Sequence, residues 1–183
     1  DEVRELLERI EDEIRRIREE IKKLDEDNKK LAEDIRRKIE ELDKENKELL
    51  KRIEDKKRES DKDKEEVTRR VRKEVEEVEK KNKDVLRDLK RKVEDAERRN
   101  EEVLRRLEER VRELEERIAR LDGDDEVRDR LRTILKKLRE MLKEVKDRID
   151  DSLRRLREVL DEVAKHIERS LKELKDRVRE VEK

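Results

Sequence analysis

Apolar residues in the first third of the chain fall at Val3, Leu7, Ile10, Ile14, Ile17, Ile21, Leu24, Leu31, Ile35, Ile39, Leu42, Leu49 and Ile53. The steps are three and four, or seven where Asn28 and Asn46 interrupt the series. That spacing keeps one face of an α-helix apolar, and period-two alternation is missing. Glu, Lys, Arg and Leu fill the remaining positions, and all four favour helix. Opposite charges also stand four apart with the acid first, as in Glu11 to Arg15 and Glu113 to Arg117. Each such pair adds only about 0.2–0.5 kcal/mol, but all of them favour the same state.

The stripe breaks twice. Leu121-Asp122-Gly123-Asp124-Asp125 carries the single glycine, suited to the residue that follows a helix, with Asp124 as an N-cap. The second break is Ser60-Asp61-Lys62-Asp63-Lys64-Glu65-Glu66, where Asp63 and Glu66 have capping-box spacing. These breaks predict helix 1 over about 2–60, a loop at 61–63, helix 2 over 64–121, a loop at 122–124 and helix 3 over 125–182. Short loops force neighbouring helices antiparallel. The expected fold is therefore all-α: one elongated up-down-up three-helix bundle over residues 1–183. Each helix of about 60 residues would be roughly 90 Å long at 1.5 Å per residue.

An internal repeat sharpens that expectation. IKKLDEDNKKLAEDIRRK from Ile21 is followed directly by IEELDKENKELLKRIEDK from Ile39, two units of equal length. The same period recurs at Val75 and Val93, and again at Leu131, Ile149 and Ile167. Such an eighteen-residue unit makes five turns of about 3.6, so the stripe returns to its starting angle and the helices should pack nearly untwisted.

Polar residues occupy the stripe at matched places. Asn28 and Asn46 do so in helix 1, Asn82 and Asn100 in helix 2, and Ser152 and Ser170 in helix 3. Residue numbers of level partners on antiparallel helices should share a constant total. Asn28 with Asn100 and Asn46 with Asn82 both total 128; Asn100 with Ser152 and Asn82 with Ser170 both total 252. One repeat earlier the rule selects Ile10, Ile118 and Ile134. Three tiers are expected: Ile10/Ile118/Ile134, Asn28/Asn100/Ser152 and Asn46/Asn82/Ser170. A buried amide without partners costs about 1–3 kcal/mol, so the two polar tiers read as devices that penalise a slipped register. His166, one turn before Ser170, could extend the second of them.

Composition narrows the candidate chemistry. Charged residues are 65% of the chain and apolar residues 29%, with no aromatic, cysteine or proline. Such a composition alone would suggest disorder, but the periodic stripe argues against it. No apolar run approaches the roughly 20 residues that cross a bilayer. The opening Asp1-Glu2-Val3-Arg4 has no basic or apolar region of the signal-peptide kind. A net charge of −1 and the lack of stacking side chains argue against nucleic acid or a membrane surface as partner. One histidine without cysteine does not make a zinc set, and Val163 stands where a Glu-x-x-His di-iron motif would need its Glu. Ser60, Ser152 and Ser170 have no matching His/Asp arrangement, and there is no glycine-rich phosphate loop. No catalytic, metal or cofactor site is expected, hence no enzyme. Two core positions in seven is about 29%, so one bundle uses nearly all the apolar surface. A monomer without obligatory partners is expected, with a homodimer as the alternative, soluble and cytoplasmic on recombinant expression.

Taken together, the equal repeat units, the paired Asn28/Asn46 and Asn82/Asn100, the Gly123-Asp124 loop and the Glu/Lys/Arg/Asp surface resemble de novo designed, parametrically generated helical bundles with modular buried hydrogen-bond layers. The resemblance covers the whole chain. It implies a hyperstable scaffold or rigid spacer with no natural substrate. Two other readings are a natural rod similar to spectrin-like or myosin-tail segments, which carry aromatics and imperfect heptads, and a single charged helix without tertiary contacts.

Overall fold

The structure is a computed structural model and describes residues 2–59, 64–121 and 125–182. The expected loops at 61–63 and 122–124 lie outside the described residues, as do Ser60, Asp63 of the capping box, Gly123 and Asp124. The described chain forms α1 (Glu2–Glu59), α2 (Lys64–Ala119) and α3 (Asp125–Glu182), and these pack as a three-helix bundle. Acidic residues stand in every first turn, at Glu2 and Glu5, Glu65 and Glu66, and Asp125 and Glu126. There they face the positive end of the helix dipole. The single-helix reading does not hold, because each helix buries a face against the others.

Burial resolves the broad stripe into a narrow central line. On α1 the series Leu6, Leu24 and Leu42, the series Ile10, Asn28 and Asn46, and the series Ile17, Ile35 and Ile53 are all buried, each stepping by one repeat unit. On α2 the series are Val71, Leu89 and Leu107, then Val75, Val93 and Val111, then Asn82, Asn100 and Ile118. On α3 they are Leu131, Ile149 and Ile167, then Leu138, Leu156 and Leu174. Apolar doublets sit at the seam edges: Val85/Leu86, Val103/Leu104 and Met141/Leu142 are all half-buried. Among the described residues, no large apolar side chain is exposed. Each fully buried Leu or Ile contributes about 1.5–3 kcal/mol relative to exposure, which offsets the small share of apolar residues.

The chain divides into two compact units. One comprises Asp1–Lys30 with Glu94–Arg155, and the other Leu31–Val93 with Leu156–Lys183. In the first unit, Leu6, Ile10, Ile17 and Leu24 of α1 form one apolar cluster with Leu107, Val111, Leu114 and Ile118 of α2 and Leu131, Leu138, Val145 and Ile149 of α3. Ile134 packs against it half-buried, so the Ile10/Ile118/Ile134 tier belongs to this cluster. The second unit repeats the arrangement with Ile35, Leu42, Leu49 and Ile53, Val71, Val75 and Leu89, and Leu156, Val163, Ile167 and Leu174.

Cross-helix contacts set the directions. α1 and α3 run parallel, because Asn28 pairs with Ser152 and Asn46 with Ser170 at one constant offset of 124. α2 runs against both. In the second unit Lys81 meets Glu45 and Lys56 meets Glu74, pairs that total 126 and 130 and bracket the 128 of Asn46 and Asn82. Between α2 and α3, Glu115 with Arg139 in the first unit and Glu79 with Lys175 in the second both total 254, close to the 252 of Asn82 and Ser170.

α2 ends at Ala119, short of the expected 121. The chain turns there through Arg120 N–H to the Glu116 carbonyl at 3.2 Å and Leu121 N–H to the Ile118 carbonyl at 3.3 Å. The Arg128 guanidinium, from the first turn of α3, then donates to the Leu121 carbonyl through Nε at 3.1 Å and Nη2 at 2.8 Å. This forked contact satisfies a backbone carbonyl just past the end of α2, where no helical partner follows. Arg128→Ala is expected to lower stability by about 1 kcal/mol, read as a fall in denaturation midpoint; Arg128→Lys should recover only part, since a point charge cannot make the fork.

Candidate functional site

The residues singled out in the sequence occupy two polar tiers, one in each unit. In the first, Asn28 Nδ2 donates to Ser152 Oγ at 2.8 Å; in the second, Asn46 Nδ2 donates to Ser170 Oγ at 2.8 Å. All four asparagines are buried in the core, with Asn82 and Asn100 each 1% exposed. The helices bring them there because one full repeat restores the same facing angle, so each asparagine inherits the inward direction of an isoleucine such as Ile10 or Ile118.

The hydrogen bonds join α1 to α3 directly. The α2 asparagines are not bonded in the same way: Asn100 Nδ2, and both Nδ2 and Oδ1 of Asn82, have no protein partner, and neither does Asn46 Oδ1. Two tiers with identical residues thus differ in how many fully enclosed side-chain atoms lack a partner, one in the first and three in the second. Nothing in the sequence separates them, since Asn28/Asn100/Ser152 and Asn46/Asn82/Ser170 are chemically the same set.

His166 turns its Nε2 to Asp43 Oδ1 on α1, across the α1–α3 groove, with both side chains partly exposed. Its partner is therefore a surface carboxylate rather than Ser170. Arg36, Glu162 and Arg169 line the same groove over Ile39 and Val163. Both tier serines have an asparagine amide against Oγ, which donates to the hydroxyl oxygen and cannot draw off its proton as a base would. Among the described residues no group of three or more His, Asp or Glu side chains is placed to hold a metal ion. No helix of the described residues is long and apolar enough to cross a membrane.

Electrostatic contacts around the tiers link helices pairwise. Lys81 Nζ reaches Glu45 Oε2 at 2.8 Å, immediately before Asn82 and Asn46 respectively. Lys175 Nζ reaches Glu79 Oε1 at 3.0 Å, and Lys83 reaches the same oxygen at 3.1 Å. Hydrogen bonds from Lys175 and Lys83 hold the Glu79 carboxyl below its ordinary pKa, and the bond from Arg139 at 2.5 Å does the same for Glu115. A carboxyl depressed on folding stabilises the native state above its unfolded pKa, near 4.3, and that contribution fades as pH falls through the lower folded value. Glu79→Gln should therefore cost a few tenths of a kcal/mol at pH 7, given partial solvent screening, and nothing once the pH lies below both values. Denaturant midpoints of parent and variant across that range give the comparison; a difference that persists in acid would exclude the ionic origin.

No family model matches the chain, and no curated protein matches it. Among solved structures, a computationally designed three helix bundle is similar at 16% sequence identity and a TM-score of 0.49, over 98% of this chain and 85% of that one.

Proposed function

We propose that the chain is a designed structural scaffold, a rigid spacer whose task is met by holding one defined helix arrangement. The observation that carries this reading is the recurrence of one bond in two places. Asn28 to Ser152 and Asn46 to Ser170 share a 2.8 Å length and an offset of 124, and stand one repeat unit apart on each helix. A repeat regular at the level of individual polar contacts serves alignment of helices, because a misaligned partner would face an amide with an apolar group. Withdrawal of the described large apolar side chains from the surface supports a role that does not rest on an apolar docking face.

The test is physical, since the proposed task is physical. The chain should sediment as a single 22.7 kDa species across a wide range of concentration. It should also keep its helical circular dichroism to above about 90 °C, the mark of a hyperstable fold. Concentration-dependent self-association, or a midpoint within the ordinary mesophilic range of about 45–65 °C, would contradict a scaffold of this kind.

A further inference from the structure

We propose that the Asn46/Asn82/Ser170 tier is a binding site for one internal water molecule, held by the two asparagines. The placement rests on cross-helix contacts around it. Asn46 is fixed to Ser170 at 2.8 Å, and the Lys81–Glu45 ion pair at 2.8 Å joins the residues immediately preceding Asn82 and Asn46. The Lys175–Glu79 pair, at 3.0 Å, ties α2 to α3 within about one and a half turns of the same level. Asn82, 1% exposed, is therefore level with the Asn46–Ser170 bond and inside the bundle.

The unpartnered atoms at this level form a complementary set. Asn46 Oδ1 and Asn82 Oδ1 are two acceptors, and Asn82 Nδ2 is a donor. A water molecule supplies two O–H donors and accepts through oxygen, so one molecule satisfies all three, the usual number of bonds for an internal water. An ammonium ion donates only and would oppose Asn82 Nδ2; an anion would oppose the two carbonyl oxygens. The set selects a small neutral molecule that both donates and accepts. A direct bond from Asn82 Nδ2 to Asn46 Oδ1 is the competing arrangement, and it would still leave Asn82 Oδ1 without a partner in the core.

Space follows from residue size. The Ile10/Ile118/Ile134 tier shows what these backbone positions hold when filled with apolar side chains. Asparagine and serine are smaller than isoleucine, so the same three positions filled by Asn46, Asn82 and Ser170 leave room toward the roughly 30 Å³ share of one water. In the Asn28/Asn100/Ser152 tier Asn100 Nδ2 is the one fully enclosed atom without a partner, so a water there would not be enclosed by three such atoms as it is between Asn46 and Asn82. That tier serves as the internal control.

Oxygen-17 magnetic relaxation dispersion on the full chain counts long-lived waters. The expected result is a dispersion step worth one water per chain, lost in Asn82→Leu and retained in Asn100→Leu. Rotating-frame Overhauser contacts in the unaltered protein give a second reading, with a direct water contact at the Asn82 Nδ2 protons and none at those of Asn100. Should Asn82→Leu fail to fold, this measurement decides the matter alone. Absence of a long-lived water in the parent, or a step that survives Asn82→Leu, would overturn the proposal. So would Asn82 amide protons that contact Asn46 and no water.

Discussion

Truncating Leu107 to alanine is expected to remove about 2–5 kcal/mol of unfolding free energy, one of the two largest effects foreseen for this protein. Leu107 is fully buried and belongs to the cluster that includes Ile17, Leu24 and Leu138. Removing its branched end loses the transfer free energy of the deleted carbons and leaves a cavity the neighbours fill only partly. Three long helices have stiff backbones, held by continuous i to i−4 bonds, so collapse into that cavity is limited. Leu104, one turn away in sequence but half-buried at the seam edge, should lose clearly less on the same change. A half-buried surface residue such as Lys92, whose ion pair with the exposed Asp88 spans 3.6 Å, should stay within about 0.5 kcal/mol. Guanidinium denaturation of the three variants orders them. A loss below about 1 kcal/mol at Leu107 would show that the narrow seam is not what stabilises the first unit.

Much of this arrangement was readable in advance because helix geometry converts spacing directly into facing. The repeat step returns to one angle, so Ile17 predicts Ile35 and Ile53, and each is buried. Asn28, Asn46, Asn82 and Asn100 were recognisable as inward-facing for the same reason. What periodicity does not resolve is which of two adjacent apolar residues takes the centre of the seam. Reading Leu7 in the stripe passed over Leu6, which is the buried member, while Leu7 stands half-buried beside it. A stripe more than about 100° wide accepts either residue, and only the positions of the facing helices decide.

The tier chemistry shows a second limit. Residue totals place Asn28, Asn100 and Ser152 at one level, but they do not say which pair bonds. The direct bond runs from Asn28 to Ser152, between the two parallel helices, rather than between the asparagines of α1 and α2. That choice depends on side-chain torsions and on fractions of an ångström between helix axes, neither of which is encoded in spacing. His166 is a similar case: a margin position allowed it to turn inward, and the carboxylate of Asp43 across the groove drew it outward. Long-range surface pairs such as Arg139 with Glu115 were likewise not legible, since nearly every surface position offers a charge of one sign or the other.

The polar tiers should respond to substitution in a strongly non-additive way. Asn28→Ile alone is expected to destabilise by about 1–3 kcal/mol, because it leaves the Ser152 hydroxyl facing an apolar group and adds to the orphan Nδ2 already present at Asn100. Changing Asn28, Asn100 and Ser152 together to isoleucine should preserve or raise stability, since no polar atom of the tier remains to be desolvated and each buried isoleucine adds about 1.5–3 kcal/mol. The coupling between the three sites should therefore be of opposite sign to the single loss. Extending the change to Asn46, Asn82 and Ser170 would make every tier resemble Ile10/Ile118/Ile134, and alignment would then have no polar tier to penalise a slipped register. Spin labels at the exposed Lys29 and Glu101, on opposed helices of the first unit, read that alignment as a distance. The parent should give one narrow distance, and the six-site variant a broadened or divided distribution displaced by about one helical turn of 5.4 Å. A marked loss of stability in the triple variant would show that the amides bind the helices together in their own right. A six-site variant with the parent's single narrow distance would show instead that packing of the isoleucines already fixes the register, leaving the asparagines without that role.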